Sequence, residues 1–325
     1  MTASVILHTV TILLFAVGLY LTLRQWPALR ASSTPVADRL ISFGPLFFAV
    51  PYAVFGMQHF SESSVVIGAV PAWMPAHHFW LYLVGVANIA AALSLITGRL
   101  ARPAAPLLAL MMFLFVALIY VPDVFQAPRN RFVIALFFRD GSLCAGALAL
   151  AATLHGCPRS LAFGDRGLIE LLARRVALAA RIFFAVAMIF YGVEHFLHPH
   201  FAPGVPLELE MPAWFPAQAA LAWITGAILL TCGFGLFVSK YARTAAVVLG
   251  VLYCALTLIV YLPMEFLHPS IAISGTLDYV ADTLSFAGAA FFIAGSLPAK
   301  GASHPKAPVP TGVRTDSAAK ATVGC

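Results

Sequence analysis

Histidines, tyrosines and aspartates recur at matching places in this chain, and these are the side chains best suited to chemistry. The set comprises His59, Tyr120, Asp140, His195, Tyr261 and Asp282. A carboxyl group beside an imidazole or a phenol could relay a proton, or hold a ligand with quinone-like or carbonyl oxygens. The alternative is structural, with each carboxyl acting as a polar clamp that fixes the register of the helices.

The recurrence belongs to a longer internal similarity, whose offset rises from 136 residues (195 − 59) to 142 residues (282 − 140). Residues 54–60 resemble 190–196, and residues 71–76 resemble 212–217. Further matches follow in the same order: Gly85 with Gly226, 99–102 with 240–243, 120–122 with 261–263, Asp140 with Asp282, and 145–147 with 287–289. The pattern predicts two parallel four-helix units, a first unit at residues 39–155 and a second unit at residues 176–298.

The composition shows which environment these helices must face. Of 325 residues, 61% are hydrophobic and 10% are charged, and the mean hydropathy is +0.92. Soluble domains have fewer apolar and more charged residues, so a soluble globule and a disordered chain are both excluded. We therefore predict an all-α polytopic membrane protein whose partner is the lipid bilayer, with no nucleic-acid partner.

Apolar runs long enough to cross a bilayer number about nine, since a spanning helix needs about 20 residues. They cover residues 5–23, 40–60, 79–97, 104–122, 132–154, 176–196, 217–238, 244–262 and 277–297. Residues 1–38 are predicted to form an N-terminal transmembrane helix and a basic loop. Residues 156–175 are predicted to be a cytoplasmic linker with a short interfacial helix, and residues 299–325 a disordered cytoplasmic tail.

The positions of the basic residues predict the orientation, because cytoplasmic loops carry an excess of Lys and Arg. Every second loop is basic, as in the segments after the first, third, fifth and seventh runs. This places the N-terminus outside and the C-terminus in the cytoplasm of a bacterial inner membrane. His59, His195, Tyr120 and Tyr261 then lie near the outer surface.

Asp140 and Asp282 are predicted to lie about 8 to 12 Å below that surface, at 1.5 Å of rise per residue. A carboxyl at this depth costs about 2.5 to 3.5 kcal/mol on insertion scales, so it should face the interior of a bundle and have a partner. Arg139 is adjacent to Asp140, but neighbours on a helix point apart. The sequence therefore favours the His and Tyr residues of each unit as partners, and a polar pocket in each bundle.

A second polar cluster belongs to the second unit alone, with Glu265 and His268 in a nearby loop. Imidazole and carboxylate side chains are ligands for divalent metals. The candidate ligands are Glu194, His195, His198 and His200. Because Pro199 interrupts a helix, a preformed metal geometry is not expected, and interfacial histidines without a metal are the default interpretation.

Aromatic residues mark the outer loops, with Trp73 in the first unit and Trp214 in the second. Interfacial anchoring explains both, and stacking on a ligand is the alternative. The sequence has no Walker loop, dinucleotide-binding glycine pattern or nucleophile elbow, which disfavours an enzyme that works alone.

The four-helix unit resembles the DoxX-like family of bacterial membrane proteins. The resemblance rests on the basic inner turn and on the last helix, which opens with residues 139–148 as an Arg-Asp pair followed by small residues. The second unit keeps Asp282 but has Ala281 in place of the basic residue, and His59 and His195 stand where many family members have a Gly followed by a Lys.

Some DoxX-like proteins are subunits of a thiosulfate to quinone oxidoreductase, and others are linked to thiol or oxidative-stress systems. The resemblance thus implies a quinone-binding or redox-partner subunit, with a quinone as the implied cofactor. A carrier or channel for a small solute or lipid, with Asp140 and Asp282 as coupling carboxyls, is the alternative from another class. A structural subunit of a membrane complex is the third interpretation.

Overall fold

The structure is a computed structural model that describes residues 3–25, 27, 30, 34–155, 163–205, 207–267 and 275–298. His268 and the tail 299–325 lie outside the described residues, as does the linker 156–162. Within the described ranges the chain is helical and has no β-strand beyond one isolated bridge, Phe201 to Glu210.

Nine helical stretches in the described part are long and apolar enough to cross a membrane, the fourth of them running over Ala101–Gln126. The prediction of an all-α polytopic membrane protein is therefore confirmed. The helices are α1 Ala3–Arg24, α2 Gly44–Ser61, α3 His77–Thr97, α4 Ala101–Phe115, α5 Arg131–His155, α6 Phe163–Leu197, α7 Gln218–Phe237, α8 Ser239–Leu256 and α9 Gly275–Gly295. Short helices at Val36–Ile41 and Ser63–Val66 precede and follow α2.

Helices α4 and α8 each continue through a π-helical turn, Val116–Tyr120 and Thr257–Tyr261, into a short helix, Val121–Gln126 and Leu262–Leu267. The second residue after each turn is a proline, Pro122 or Pro263, which has no N–H and crowds the carbonyl four residues back. The chain widens to accommodate it, so that the N–H of Val121 bonds to the carbonyl of Val116. Each turn ends at a tyrosine of the candidate set.

The eight helices α2 to α9 form a closed ring in which each packs against the next and α9 packs against α2. Helices α5 and α9, the last helix of each unit, also pack against each other across the middle. Small residues allow this approach, since a Cβ added at Gly146 would lie 2.6 Å from the Cβ of Ala289. The two units therefore share their central helices, and neither is a separate bundle.

Two polar links between helices lie at opposite faces of the helix array, one at each face. On the face where α1 begins, which we call the N-terminal face, His8 Nε2 lies 2.7 Å from Glu265 Oε1. On the opposite, C-terminal face, Arg243 pairs with Asp38 and donates to the Leu297 carbonyl at 2.7 Å. The first link connects α1 to the second unit, and the other connects the segment before α2 to the start of α8.

Helix α6 differs from the expectation at its start. The polarity of residues 156–175 suggests a separate short helix, but in the structure residues from Phe163 onward belong to one 35-residue helix that ends at Leu197. No glycine–proline break or turn separates the polar part from the apolar part, because Gly167 is followed by strong helix formers.

Candidate functional site

Two buried carboxylates, Asp140 and Asp282, meet one arginine where α5 and α9 cross. Arg139 Nε donates to Asp140 Oδ1 at 2.8 Å, and Arg139 Nη1 lies 3.4 Å from Asp282 Oδ2. Both carboxylates are buried, with exposed fractions of 4% and 2%. One guanidinium therefore serves both units, and the cluster has one more carboxylate than cation.

The expectation that Arg139 could not pair with Asp140 was wrong. Adjacent helical residues do point apart, but the arginine side chain is long enough to fold back along the helix, and Asp282 holds its far edge. The second unit has Ala281 at the matching position, so Asp282 obtains its counter-ion from the other unit. Asp282 Oδ1 has no hydrogen-bond partner among the described residues.

A cleft of about 870 Å³ opens in the first unit, and most of its lining side chains come from α3 and α4. Its mouth faces the membrane, because the lining residues Leu83, Leu107 and Leu110 are exposed on the outside of the array. The lining extends from Met74 in the N-terminal-face loop to Pro103 at the start of α4. The cleft therefore follows α3 along its 21 residues, or about 30 Å.

The polar groups of the cleft gather toward its N-terminal-face end. Among them are His59, Tyr120 and the Arg139–Asp140 pair. Close by, the Gln58 amide donates to Asp278, a residue of α9 that completes this wall from the second unit. The rest of the lining is mainly aliphatic, so the cleft has one polar end and a long apolar remainder.

Three buried polar residues of the cleft were not predicted: Gln58, Asn88 and Tyr52. The Oδ1 of Asn88 and the hydroxyl of Tyr52 have no hydrogen-bond partner among the described residues, although their exposed fractions are only 2% and 1%. Buried polar atoms are usually paired, so these two unpaired atoms distinguish the wall of the cleft from an ordinary helix contact. They were missed because neither has a polar match in the second unit, where Leu229 and Met188 stand instead.

In the second unit, the corresponding space holds part of the chain itself. The segment between α6 and α7 folds inward and buries Ala202, Val205 and Leu207. Its Gly204 N–H donates to His195 Nε2 at 2.8 Å, and the Tyr261 hydroxyl donates to the Pro203 carbonyl at 2.8 Å. We call residues 201–211 the plug segment.

Arg131, at the start of α5, holds the plug segment from the first unit. Its guanidinium donates to the Leu207 carbonyl, lies 3.3 Å from Glu194 Oε2 and sits 4.5 Å from the centre of the Phe201 ring. Three kinds of contact thus converge on one side chain, which the sequence alone did not single out.

The prediction of an equivalent pocket in each bundle is therefore wrong for the second unit. The signal was present in the sequence, because the offset between the units rises from 136 at His59 and His195 to 141 at Pro71 and Pro212. Five extra residues lie between those landmarks in the second unit. They provide the length with which the plug segment reaches into the bundle.

The metal-ligand candidates of the second unit do not converge. His195 uses both ring nitrogens, since Nδ1 bonds to the Tyr191 carbonyl at 2.6 Å and Nε2 accepts from Gly204. Glu194 pairs with Arg131, while His198 Nε2 lies 3.9 Å from Glu194 Oε2. His200 is exposed and packs on Phe201. Among the residues that the structure describes, no cluster of three or more His, Cys, Asp or Glu could hold a metal ion.

The loop aromatics lie at the N-terminal face and outside the cleft. Trp73 and Trp214 are exposed, with exposed fractions of 68% and 41%. Trp80, which the sequence analysis did not select, lines the cleft and donates its ring N–H to the Pro75 carbonyl at 3.0 Å. The exposed positions of Trp73 and Trp214 fit interfacial anchoring better than stacking on a ligand in the cleft.

Comparison with known families gives one match. A family model described as a domain of unknown function, DUF8561, matches residues 48–134. The matched range contains α3 and α4, and it ends before Arg139. It includes the polar cleft residues Tyr52, Gln58, His59, Asn88 and Tyr120. No curated protein and no solved structure matches the chain.

Proposed function

We propose that this chain binds a lipid-soluble quinone in the first-unit cleft and serves a quinone-linked redox system as a partner subunit. The observation that carries the proposal is the form of the cleft, which joins a polar end near Arg139 to an apolar channel that opens toward the bilayer. Its volume of about 870 Å³ falls in the range of small-molecule sites, about 300 to 1,000 Å³.

The chemistry of the lining matches the two parts of such a molecule. The head group of a quinone or its quinol forms hydrogen bonds through its oxygens or hydroxyls, and the cleft has the polar side chains of His59, Asn88 and Tyr52 in its lining. An isoprenoid tail needs an apolar path, which the aliphatic side chains of α3 and α4 provide. When bound, the quinone would supply the redox chemistry, and the chain's own residues would orient the ring and shield it from water.

The proposal includes a DoxX-like origin for both units. Three paired features support a common unit: the π-helical turns, the bond from each His Nδ1 to the carbonyl four residues back, and the left-handed alanines before α3 and α7, Ala76 and Ala217. With the basic loops placed in the cytoplasm of a bacterial inner membrane, the cleft's polar end lies near the outer surface.

The direct test is extraction of the full chain in mild detergent, followed by mass spectrometry of the bound lipids and by titration with a benzoquinone that carries a ten-carbon tail. Met111→Trp places a larger side chain in the lining of the cleft, which narrows the cleft, and should abolish quinone binding. Leu93→Trp, on the exposed side of α3 outside the lining, is the matched control and should bind normally. Absence of quinone from the extract together with no titratable binding would refute the proposal.

A carrier for a small solute or lipid is the second candidate. The observation that favours it is the extent of the cleft, whose lining reaches from the loop at the N-terminal face to the turn at the C-terminal face. The surplus carboxylate at Asp140 and Asp282 could then couple transport to proton movement. Flux into proteoliposomes that disappears in the Asp140→Asn and Asp282→Asn double variant would support this function.

A further inference from the structure

The plug segment indicates which chemical groups fit the first-unit cleft, because it occupies the corresponding space in the second unit. One peptide group of the segment, between Pro203 and Gly204, bonds to both His195 and Tyr261. The Pro203 carbonyl accepts from Tyr261, and the N–H of the same amide, on Gly204, donates to His195. Within the bundle His195 therefore acts as a hydrogen-bond acceptor.

The reason for this role lies one turn earlier on the helix. His195 Nδ1 is 2.6 Å from the Tyr191 carbonyl, which can only accept a hydrogen bond. In the neutral imidazole the proton must then reside on Nδ1, which leaves Nε2 with a lone pair. The backbone of α6 thus sets the tautomer, and the plug segment supplies the donor that this tautomer requires.

His59 is held in the same way in the first unit. Its Nδ1 lies 2.7 Å from the Phe55 carbonyl, so the neutral ring again carries its proton on Nδ1. No described residue bonds to His59 Nε2, and the side chain lines the cleft. The acceptor that is satisfied by Gly204 in the second unit is therefore open to a ligand in the first.

The position of His59 is also fixed by close packing. A Cβ added at Gly85 would lie 2.8 Å from the His59 Cβ, and one added at Gly226 would lie 2.9 Å from the His195 Cβ. The two histidines thus occupy the same place against the facing helix. A ligand group at His59 Nε2 would stand where the Gly204 N–H stands in the second unit.

Two further polar residues, Tyr120 and Asn88, lie near His59 in the lining of the cleft. Tyr120 lines the cleft at the position that Tyr261 holds in the second unit, where the Tyr261 hydroxyl donates to the plug segment. Asn88 Oδ1, about one turn deeper along α3 than Gly85, is a second buried acceptor without a described partner. A head group that donates hydrogen bonds would therefore satisfy the acceptors at His59 Nε2 and Asn88 Oδ1.

We propose that the first-unit cleft selects the reduced, hydroxyl-bearing form of its quinone, with a ligand O–H donating to His59 Nε2. This inference rests on the proposed function and specifies its ligand. A quinol has two O–H donors, while the oxidised quinone has only carbonyl acceptors and cannot bond to a lone pair. One hydrogen bond of about 0.5 to 1.5 kcal/mol corresponds to a preference of about two- to tenfold for the quinol.

The test compares three ligands that share a ten-carbon tail: a benzoquinone, its quinol and the quinol's dimethyl ether. Each is titrated anaerobically into the purified full chain in detergent by isothermal calorimetry. The quinol should bind about two- to tenfold more tightly than the quinone. The ether, which has a methyl group in place of each hydroxyl hydrogen and donates no hydrogen bond, should bind no more tightly than the quinone. This comparison needs no variant and does not depend on whether a variant folds.

Variants then locate the preference. His59→Leu should bind quinol and quinone with equal affinity, whereas His195→Leu, which loses the bonds to Tyr191 and Gly204 in the second unit, should keep the preference of the wild type. Equal binding of quinol and ether by the wild type, or an unchanged preference in His59→Leu, would overturn this inference while leaving quinone binding intact. Absence of binding for all three ligands would instead refute the proposed function.

Discussion

Arg139 of the first unit lies 3.4 Å from Asp282 of the second, and it is the residue through which the two units share a counter-ion. It also pairs with Asp140, so its removal would leave two buried carboxylates without a cation. Breaking a buried ion pair in this way costs about 3 to 5 kcal/mol. We expect Arg139→Gln to lower the free energy of unfolding by about that amount, as measured by thermal unfolding in detergent.

Asp282→Asn is the informative companion to that variant. It removes the surplus carboxylate, relieves its repulsion with Asp140 and leaves one arginine with one carboxylate. The Asp282→Asn protein should unfold at or above the wild-type temperature. A loss as large as that of Arg139→Gln would show that Asp282 stabilises the fold by itself, contrary to the single-cation arrangement.

The plug segment makes a second prediction, about stoichiometry. Deletion of residues 202–206 gives the second unit the loop length of the first and frees His195 Nε2 and Tyr261. Titration with the ten-carbon quinol should then change from one binding site per chain to two. Circular dichroism and thermal unfolding check that the deleted protein is folded. One site per chain in a folded deletion protein would argue against equivalent frameworks in the two units.

The helical architecture could be predicted because the length of an apolar run alone determines whether it can cross a bilayer. Residues 79–97 and 277–297, for example, differ little from α3 and α9. The ring was not predictable from such runs. It depends on which helix faces pack together, and in particular on small residues such as Gly146 that bring α5 and α9 into contact.

The candidate site was predicted only in part, for a physical reason. A search for repeated residues finds positions that both units need, such as His59 and His195, which occupy the same place against a glycine. Such a search does not find Asn88 and Tyr52, which distinguish the cleft of the first unit, because neither recurs in the second unit. The Arg139–Asp140 pair was not predicted, because helix geometry fixes only the direction of each Cβ. The long side chain of Arg139 can still fold back toward Asp140.

The left-handed alanines give a third prediction. Ala76 and Ala217 precede α3 and α7 with φ of 56° and 52°, a region in which a Cβ costs about 1 to 2 kcal/mol. Glycine adopts this conformation without that cost. Ala76→Gly and Ala217→Gly should therefore each raise the unfolding temperature, whereas Ala72→Gly, at an ordinary φ in the same loop, should lower or not change it. Equal changes in unfolding temperature for Ala72→Gly and Ala76→Gly would argue against backbone strain at Ala76.

The glycines at the two helix crossings make the last prediction, which separates stability from binding. A Cβ at Gly85 would lie 3.1 Å from the Gly56 carbonyl and 2.8 Å from the His59 Cβ, and a Cβ at Gly226 would meet Gly192 and His195 equally closely. Gly85→Ala and Gly226→Ala should each push two helices apart and lower the free energy of unfolding by about 1 to 3 kcal/mol.

Only the Gly85 substitution should affect the ligand. It displaces His59 at the polar end of the open cleft, so quinol affinity should fall and the preference over the quinone should shrink. Gly226→Ala displaces His195 against the plug segment, where no ligand binds, so the folded protein should keep the wild-type affinity. Calorimetric titration of both variants with the ten-carbon quinol decides between these outcomes. Equal losses of affinity would mean that the second unit takes part in binding, and that the plug segment does not close it.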